Sequence, residues 1–173
     1  MRKSHQPAVI KIGVISRPHG ITGEVKVHIS PGYLGALDGV TLVYLNNSPT
    51  GTRVNGRRSH QNDILLRLEG VVTRNAAEEL RGTSVWIKTP ELPRLAEGGY
   101  YSHELVGLRV VDTAGQELGQ LSEVLATGSN DVYIIKQPNL KELLLPAIES
   151  VIRKIDLESG VMTVVIPEGL LDS

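Results

Sequence analysis

Apolar residues along the chain fall in short β-branched runs separated by Gly, Pro, Asn and Asp. Within the runs they tend to alternate with polar positions, and a period of two places neighbouring side chains on opposite faces of an extended strand. The pattern therefore predicts an all-β (mainly β) protein with short helices only. A first strand is expected over residues 9–15. A second is expected over 23–29, where Val25, Val27 and Ile29 alternate with Lys26 and His28, the mark of a half-buried strand with a basic outer face. Further strands are expected at 41–45, 52–58, 64–68 and 85–88. Strands this short and this numerous favour a closed barrel, which leaves no unpaired edge. The single helix signal in this half is Asn75 to Gly82. Asn75 can cap it, Glu78 holds the capping-box position, and Gly82 can take the left-handed stop. With Ala77 and Leu80 on one face, this helix reads as a plug against a barrel end.

The run Thr89 to Gly99 holds two prolines and two glycines in eleven residues, without apolar periodicity, and reads as a linker. The expected organisation is a first barrel domain over 1–92, a linker over 93–99 and a second, barrel-like domain over 100–173. Beyond the linker, strands are expected at 105–111, 118–125, 132–136, 142–146 and 161–166. Turns fall at 112–115 and 128–131, and 146–155 is a short helical or irregular crossover. A spacing of roughly ten residues per strand suits a small barrel or sandwich.

Composition narrows the chemistry. The chain has no Cys, which excludes disulfides, thiolate zinc sites, iron–sulfur clusters and cysteine nucleophiles and fits a cytoplasmic location. No run reaches the roughly 20 apolar residues of a membrane span, and the polar start Met1 to Pro7 does not read as a signal peptide. Aromatic residues make up only 3%, with no Phe, so Val, Ile and Leu must fill the core. The net charge of −1 hides an asymmetry. Residues 1–97 carry 13 Lys and Arg against 8 Asp and Glu, a net of +5. Residues 98–173 carry 5 against 11, a net of −6. Two different partner surfaces on one chain are expected.

Candidate binding residues fall in both halves. In Arg17 to Val27, Pro18 fixes its own backbone while Gly20 and Gly23 permit positive φ, so a hairpin should present Arg17 and His19 at its tip. Arg53, Arg57, Arg58 and His60 form a second basic cluster, with Asn55-Gly56 read as a tight turn. Brought together on one face, Arg17, His19, Lys26, Arg53, Arg57 and Arg58 would contact RNA phosphates. The five histidines show no metal-ligand spacing, and no serine elbow or carboxylate pair stands out. No metal, cofactor or catalytic role is expected. Tyr100-Tyr101 is the sharpest feature, because it sets two of six aromatics side by side after Gly98-Gly99. In an extended segment one tyrosine would pack inward and the other face outward as an interface anchor.

Several ordered motifs resemble the RimM family of ribosome maturation factors. Ile12 to Val27, with its His19-Gly20 and Gly23-Glu24 pairs, is similar to the family's opening signature, and Asn75 to Gly82 resembles the close of its first domain. Tyr100-Tyr101 with His103-Glu104-Leu105-Val106-Gly107 is similar to the entry of its second domain, a PRC-barrel. Thr127 to Val132, Leu145 to Ile148 and Pro167 to Asp172 match later segments of that barrel. The resemblance implies a non-enzymatic, monomeric assembly factor. It would bind the free small ribosomal subunit, contact ribosomal protein nineteen of that subunit and nearby rRNA, and promote head maturation and rRNA processing. It implies Tyr100 and Tyr101, with His103 beside them, as the protein-binding residues. The next position, often a large aromatic in the family, is Ser102 here. Two other classes remain to be told apart from this one. An enzyme that processes or modifies precursor rRNA would show turnover, and a membrane-associated PRC-barrel protein would usually carry an anchoring segment.

Overall fold

The structure, a computed structural model, describes residues 8–96, 99–127 and 129–170. Glu97 and Gly98 of the expected linker, Gly128 of an expected turn, the polar start Met1 to Pro7, and Leu171 and Asp172 of the tail lie outside the described residues. The protein is mainly β, and it divides into two compact units, Pro7–Glu97 and one that begins at Gly98.

The first unit contains strands β1 (Val9–His19), β2 (Glu24–Ile29), β3 (Leu42–Leu45), β4 (Thr52–His60), β5 (Asp63–Leu68) and β6 (Ser84–Lys88). They close into a barrel in the order β1-β2-β5-β4-β3-β6, with every neighbouring pair antiparallel. Closing a barrel from so few strands demands sharp bending, which bulges supply. They interrupt β1 at Lys11/Gly13 and at Ile15/Arg17, and β4 at Val54/Gly56. The last of these corrects a sequence expectation, since Asn55-Gly56 is no turn: β4 runs straight through it. Inside, Ile12, Ile15, Val25, Val27, Leu66, Val85 and Ile87 are fully buried, so β-branched and leucine side chains make up most of the barrel's filling.

Helix α1 (Arg74–Glu79) packs against β1 and β2 through the buried Ala77. Its cap is Thr73, whose Oγ1 accepts a hydrogen bond from the Ala76 N–H at 3.1 Å, so the helix begins earlier than an Asn75 cap would allow. The loop before α1 lies against the β1–β2 turn at Gly23. There φ is +94°, and a Cβ would stand 2.8 Å from Val72 Cα and closer still to the Val71 carbonyl oxygen. Past β6, one turn of 3-10 helix (Thr89–Glu91) leads into the expected linker, where Leu95 reaches back beside Gly35.

The second unit opens with helix α2 (Ser102–Leu105), followed by β7 (Arg109–Asp112), β8 (Glu117–Leu125), β9 (Val132–Lys136), β10 (Leu143–Pro146), β11 (Ile152–Asp156) and β12 (Val161–Val164). They form one sheet in the order β10-β9-β8-β7-β12-β11, in which β12 and β7 run parallel and the other neighbours antiparallel. Two expectations need correction here. The strand expected from Leu105 begins only at Arg109, because residues 102–105 form a helical turn in which the Glu104 carboxylate accepts the Tyr101 N–H at 2.8 Å, and Gly107 turns the chain out at φ +95°. Residues 152–156 form a strand within the expected crossover. Only Ile152 and Ile155 carry its apolar face, too short a run to show alternation.

The end strands β10 and β11 share no ladder among the described residues, yet they are joined by only residues 147–151. Five residues reach at most about 18 Å. The sheet must therefore curl, around a core of Leu108, Val110, Leu121, Ile135, Leu145 and Met162.

The Gly23 approach yields a test. Gly20 also has positive φ, +68°, but a Cβ there meets nothing within 4 Å. Gly20→Ala should cost about 1–2 kcal/mol for the left-handed backbone alone. Gly23→Ala should cost clearly more, because the α1 loop must also move. Urea unfolding of the two variants checks this, and equal losses would rule out a role for the close approach.

Candidate functional site

Strand β2 carries Glu24, Lys26 and His28 at period two, hence on one face. Their partners come from the strands beside them. Glu24 accepts two hydrogen bonds from the Arg58 guanidinium, Nε to Oε2 at 3.1 Å and Nη2 to Oε1 at 3.0 Å, the fork geometry that makes such pairs strong. Lys26 Nζ lies 3.4 Å from Asp63 Oδ2, and His28 Nδ1 lies 3.0 Å from Asp63 Oδ1. Lys26 is only 7% exposed. The expected basic outer face of this strand is thus a neutralised row, with His28 its one exposed member. Arg58 holds the Glu24 carboxyl below the usual carboxylate range. Burial opposes this, while Arg67 and His19 assist from farther off.

The six expected RNA-facing residues are partly brought together. Arg17, Lys26, Leu65 and Arg58 form one rung across β1, β2, β5 and β4, so Arg17 and Arg58 share a face. Arg17 is exposed on a strand, not at a hairpin tip as expected, because β1 continues to His19. His19 is half-buried, its ring 4.9 Å from that of His60. Arg57 takes the alternate register position opposite Leu66 and pairs with Asp38 at 2.8 Å. Arg53 lies farther along β4, opposite Leu42. Among the described residues, Arg17 and Arg53 show no ion pair and remain open to a phosphate.

Two features of this end of the barrel had no clear signal in the sequence. Arg74 donates from Nη1 to the Gly20 carbonyl at 2.7 Å and pins the β1–β2 turn. Beside it Ile21 and Val72, 80% and 72% exposed, stand on adjoining loops.

In the second unit the tandem tyrosines divide unequally. Tyr101 is 5% exposed, and its ring stacks on His103 at 6.0 Å and 12° between planes. Tyr100 is half-buried and packs against the unit's core, so neither ring stands free of the fold. Burial pushes the His103 imidazole below its ordinary pKa against the pull of Glu104, which favours the neutral ring near pH 7. Val106, just after α2, is an exposed apolar neighbour. Among the described residues no cluster of His, Asp or Glu could hold a metal ion, and no helix is long and apolar enough to cross a membrane.

Comparison with known proteins covers both units. A family model described as the RimM N-terminal domain matches residues 10–92, and one described as the RimM PRC barrel domain matches residues 102–170. The ribosome maturation factor RimM of Trichlorobacter lovleyi is 39% identical over 168 residues, 95% of this chain and 96% of that protein. That of Oceanobacillus iheyensis is 37% identical over 163 residues, 93% of this chain and 96% of that protein. A solved structure of a RimM protein from Pseudomonas aeruginosa is 32% identical, covers 92% of this chain and 98% of that chain, and gives a TM-score of 0.45.

The Glu24–Arg58 pair predicts a pH dependence. A carboxyl with a depressed folded-state pKa contributes stability that is complete above its ordinary pKa and is lost as pH falls through the folded-state value. Glu24→Gln should therefore be less stable than the parent at pH 7, and the gap should close in strong acid. Urea unfolding between pH 7 and pH 2 checks this; a gap that stays constant with pH would assign the loss to packing instead.

Proposed function

Because the chain belongs to the RimM family of ribosome maturation factors, we propose that it binds the free small ribosomal subunit in the cytoplasm as a monomer and promotes maturation of its head and processing of its rRNA. It acts by binding and not by turnover. The observation that carries this reading is the charge split between the two halves of the sequence, whose boundary at residues 97 and 98 is also a boundary between the units. Residues 1–97 hold 13 Lys and Arg against 8 Asp and Glu, and residues 98–173 hold 5 against 11.

In this reading the acidic second unit engages a basic ribosomal protein of the head, protein nineteen of the small subunit, through the segment around Tyr100, Tyr101 and His103. The stacked Tyr101 and His103 form the rigid base of the contact, and Tyr100 offers the accessible ring edge. The basic first unit approaches neighbouring rRNA with Arg17 and Arg53, while Arg57 and Arg58 share their guanidinium groups with Asp38 and Glu24. Lys26 and His19 belong to the support of that surface. Holding protein and RNA together lowers the cost of their correct arrangement, since the second contact forms at high effective concentration once the first is made.

Co-sedimentation with purified small subunits separates the two contacts. Tyr100→Ala, which spares the buried Tyr101, should weaken binding by about tenfold, the loss typical of an interface anchor. Arg17→Glu with Arg53→Glu should weaken binding at low salt and flatten its salt dependence. Unchanged sedimentation of Tyr100→Ala with an unchanged melt would remove the tyrosine assignment. An unchanged salt slope in the arginine variant would remove the RNA assignment.

A further inference from the structure

In the second unit two of the five cations flank one glutamine on a single exposed rung. Arg109, Gln120 and Lys136 form one rung across β7, β8 and β9, and all three are exposed on the outer face of the sheet. On the neighbouring rung Val110 faces Gly119. Gly119 takes φ +146°, and a Cβ there would lie 3.0 Å from Ile135 Cγ2 and closer to the Lys136 carbonyl oxygen. No side chain other than hydrogen fits at that point. With Gln137 and Pro138 closing one side, the surface sinks into a depression of about 490 Å³.

The charge in and around this depression runs against its surroundings. Residues 98–173 contain only five Lys and Arg against eleven Asp and Glu. Two of those five, Arg109 and Lys136, line the depression. The lining carboxylate, Glu117, is only loosely engaged, at 4.0 Å from Arg109 Nη1, which leaves the guanidinium fork open to a better-placed anion. Gln120 is fixed, donating from Nε2 to the Gly107 carbonyl at 3.0 Å, and so serves as a rigid wall.

We propose that this depression is a nucleotide subsite for single-stranded RNA, in which Arg109 and Lys136 hold one backbone phosphate while Gln137 and Pro138 flank the attached sugar and base. Its volume falls within the roughly 300–1,000 Å³ of small-ligand sites, more than a lone carboxylate fills. A nucleotide unit places its charge between the two cations and its flat, weakly polar portion over Pro138 and the aliphatic stems of the basic side chains. The site rests on the reading that the chain contacts RNA, and it extends that contact to the unit otherwise assigned to protein.

The test uses the full chain and a fluorescein-labelled, twelve-nucleotide single-stranded RNA of mixed sequence, followed by anisotropy. Arg109→Glu with Lys136→Glu should raise Kd by about tenfold and reduce the slope of log K against log salt by about 0.7, the contribution of one single-strand phosphate. Glu117→Gln should tighten binding. If the double variant binds RNA as the parent does while Arg17→Glu with Arg53→Glu binds weakly, the subsite is wrong and the RNA reading stands. If neither variant changes binding, the RNA reading itself falls. A labelled polyglutamate peptide that binds the parent more tightly than the RNA, and is lost in the Arg109 and Lys136 variant, would assign the depression to an acidic protein segment and overturn the proposal. Titration of the unmodified chain with adenosine 5′-monophosphate gives a measurement free of any folding defect. Amide shifts at Gly119, Gln120 and Lys136 are expected, and their absence would overturn the site.

Discussion

Two charges of strand β2, Glu24 and Lys26, are buried on the outer side of the first barrel, and each depends on a counter-charge supplied by a different strand. Removing one member leaves an enclosed charge without its partner, and it is Glu24 and Lys26, not the exposed Arg58, that bear that cost. This requirement ties β2 to β4 through Arg58 and to β5 through Asp63, so the β1–β2 and β4–β5 hairpins are held in one register by charge as well as by their ladder. It also sets what the surface can offer. Lys26, Arg57 and Arg58 are already shared with Asp63, Asp38 and Glu24, while Arg17 and Arg53 carry no ion pair among the described residues.

The second unit meets a different constraint. Its sheet is not closed by hydrogen bonds among the described residues, so covalent connection and shared core have to do what a ladder does in the first unit. Leu143 and Leu145 of β10 and Ile152 and Ile155 of β11 reach the same core from opposite ends of the sheet. The paired tyrosines sit at the entry to this arrangement, anchored by the small cap that Glu104 makes on Tyr101. A partner surface built on a capped turn is stiffer than one on an open loop, which limits the entropy lost on binding.

Much of the fold was legible because β-branched alternation is a strong signal wherever one face is buried. Strands such as Glu24–Ile29 and Val132–Lys136 fall where the pattern places them, to within a residue. The misses share a physical origin. Asn55-Gly56 has turn composition but sits in a bulge, where local chemistry favours both outcomes and only the pairing with β5 decides. Ile152–Asp156 has two apolar residues, and its neighbour β12 settles it as a strand. For the candidate site, residue types were readable but pairing was not. Nothing local says that Arg58 turns to Glu24, thirty-four positions away, or that Lys26 is taken by Asp63 while Arg17 stays open.

The parallel pairing of β12 with β7 bears on how the protein is made. Val161 aligns with Arg109, so β12, formed late in the chain, must add to the edge of β7 and bring its hairpin partner β11 with it. Such long-range parallel pairing closes a large loop before any contact rewards it and is slow to form. During synthesis the first barrel, whose strands are complete by Lys88, can fold while the second still waits for β11 and β12. The basic surface would then be presented before the acidic one exists, and the order in which the two units become competent is written into the strand order of the second.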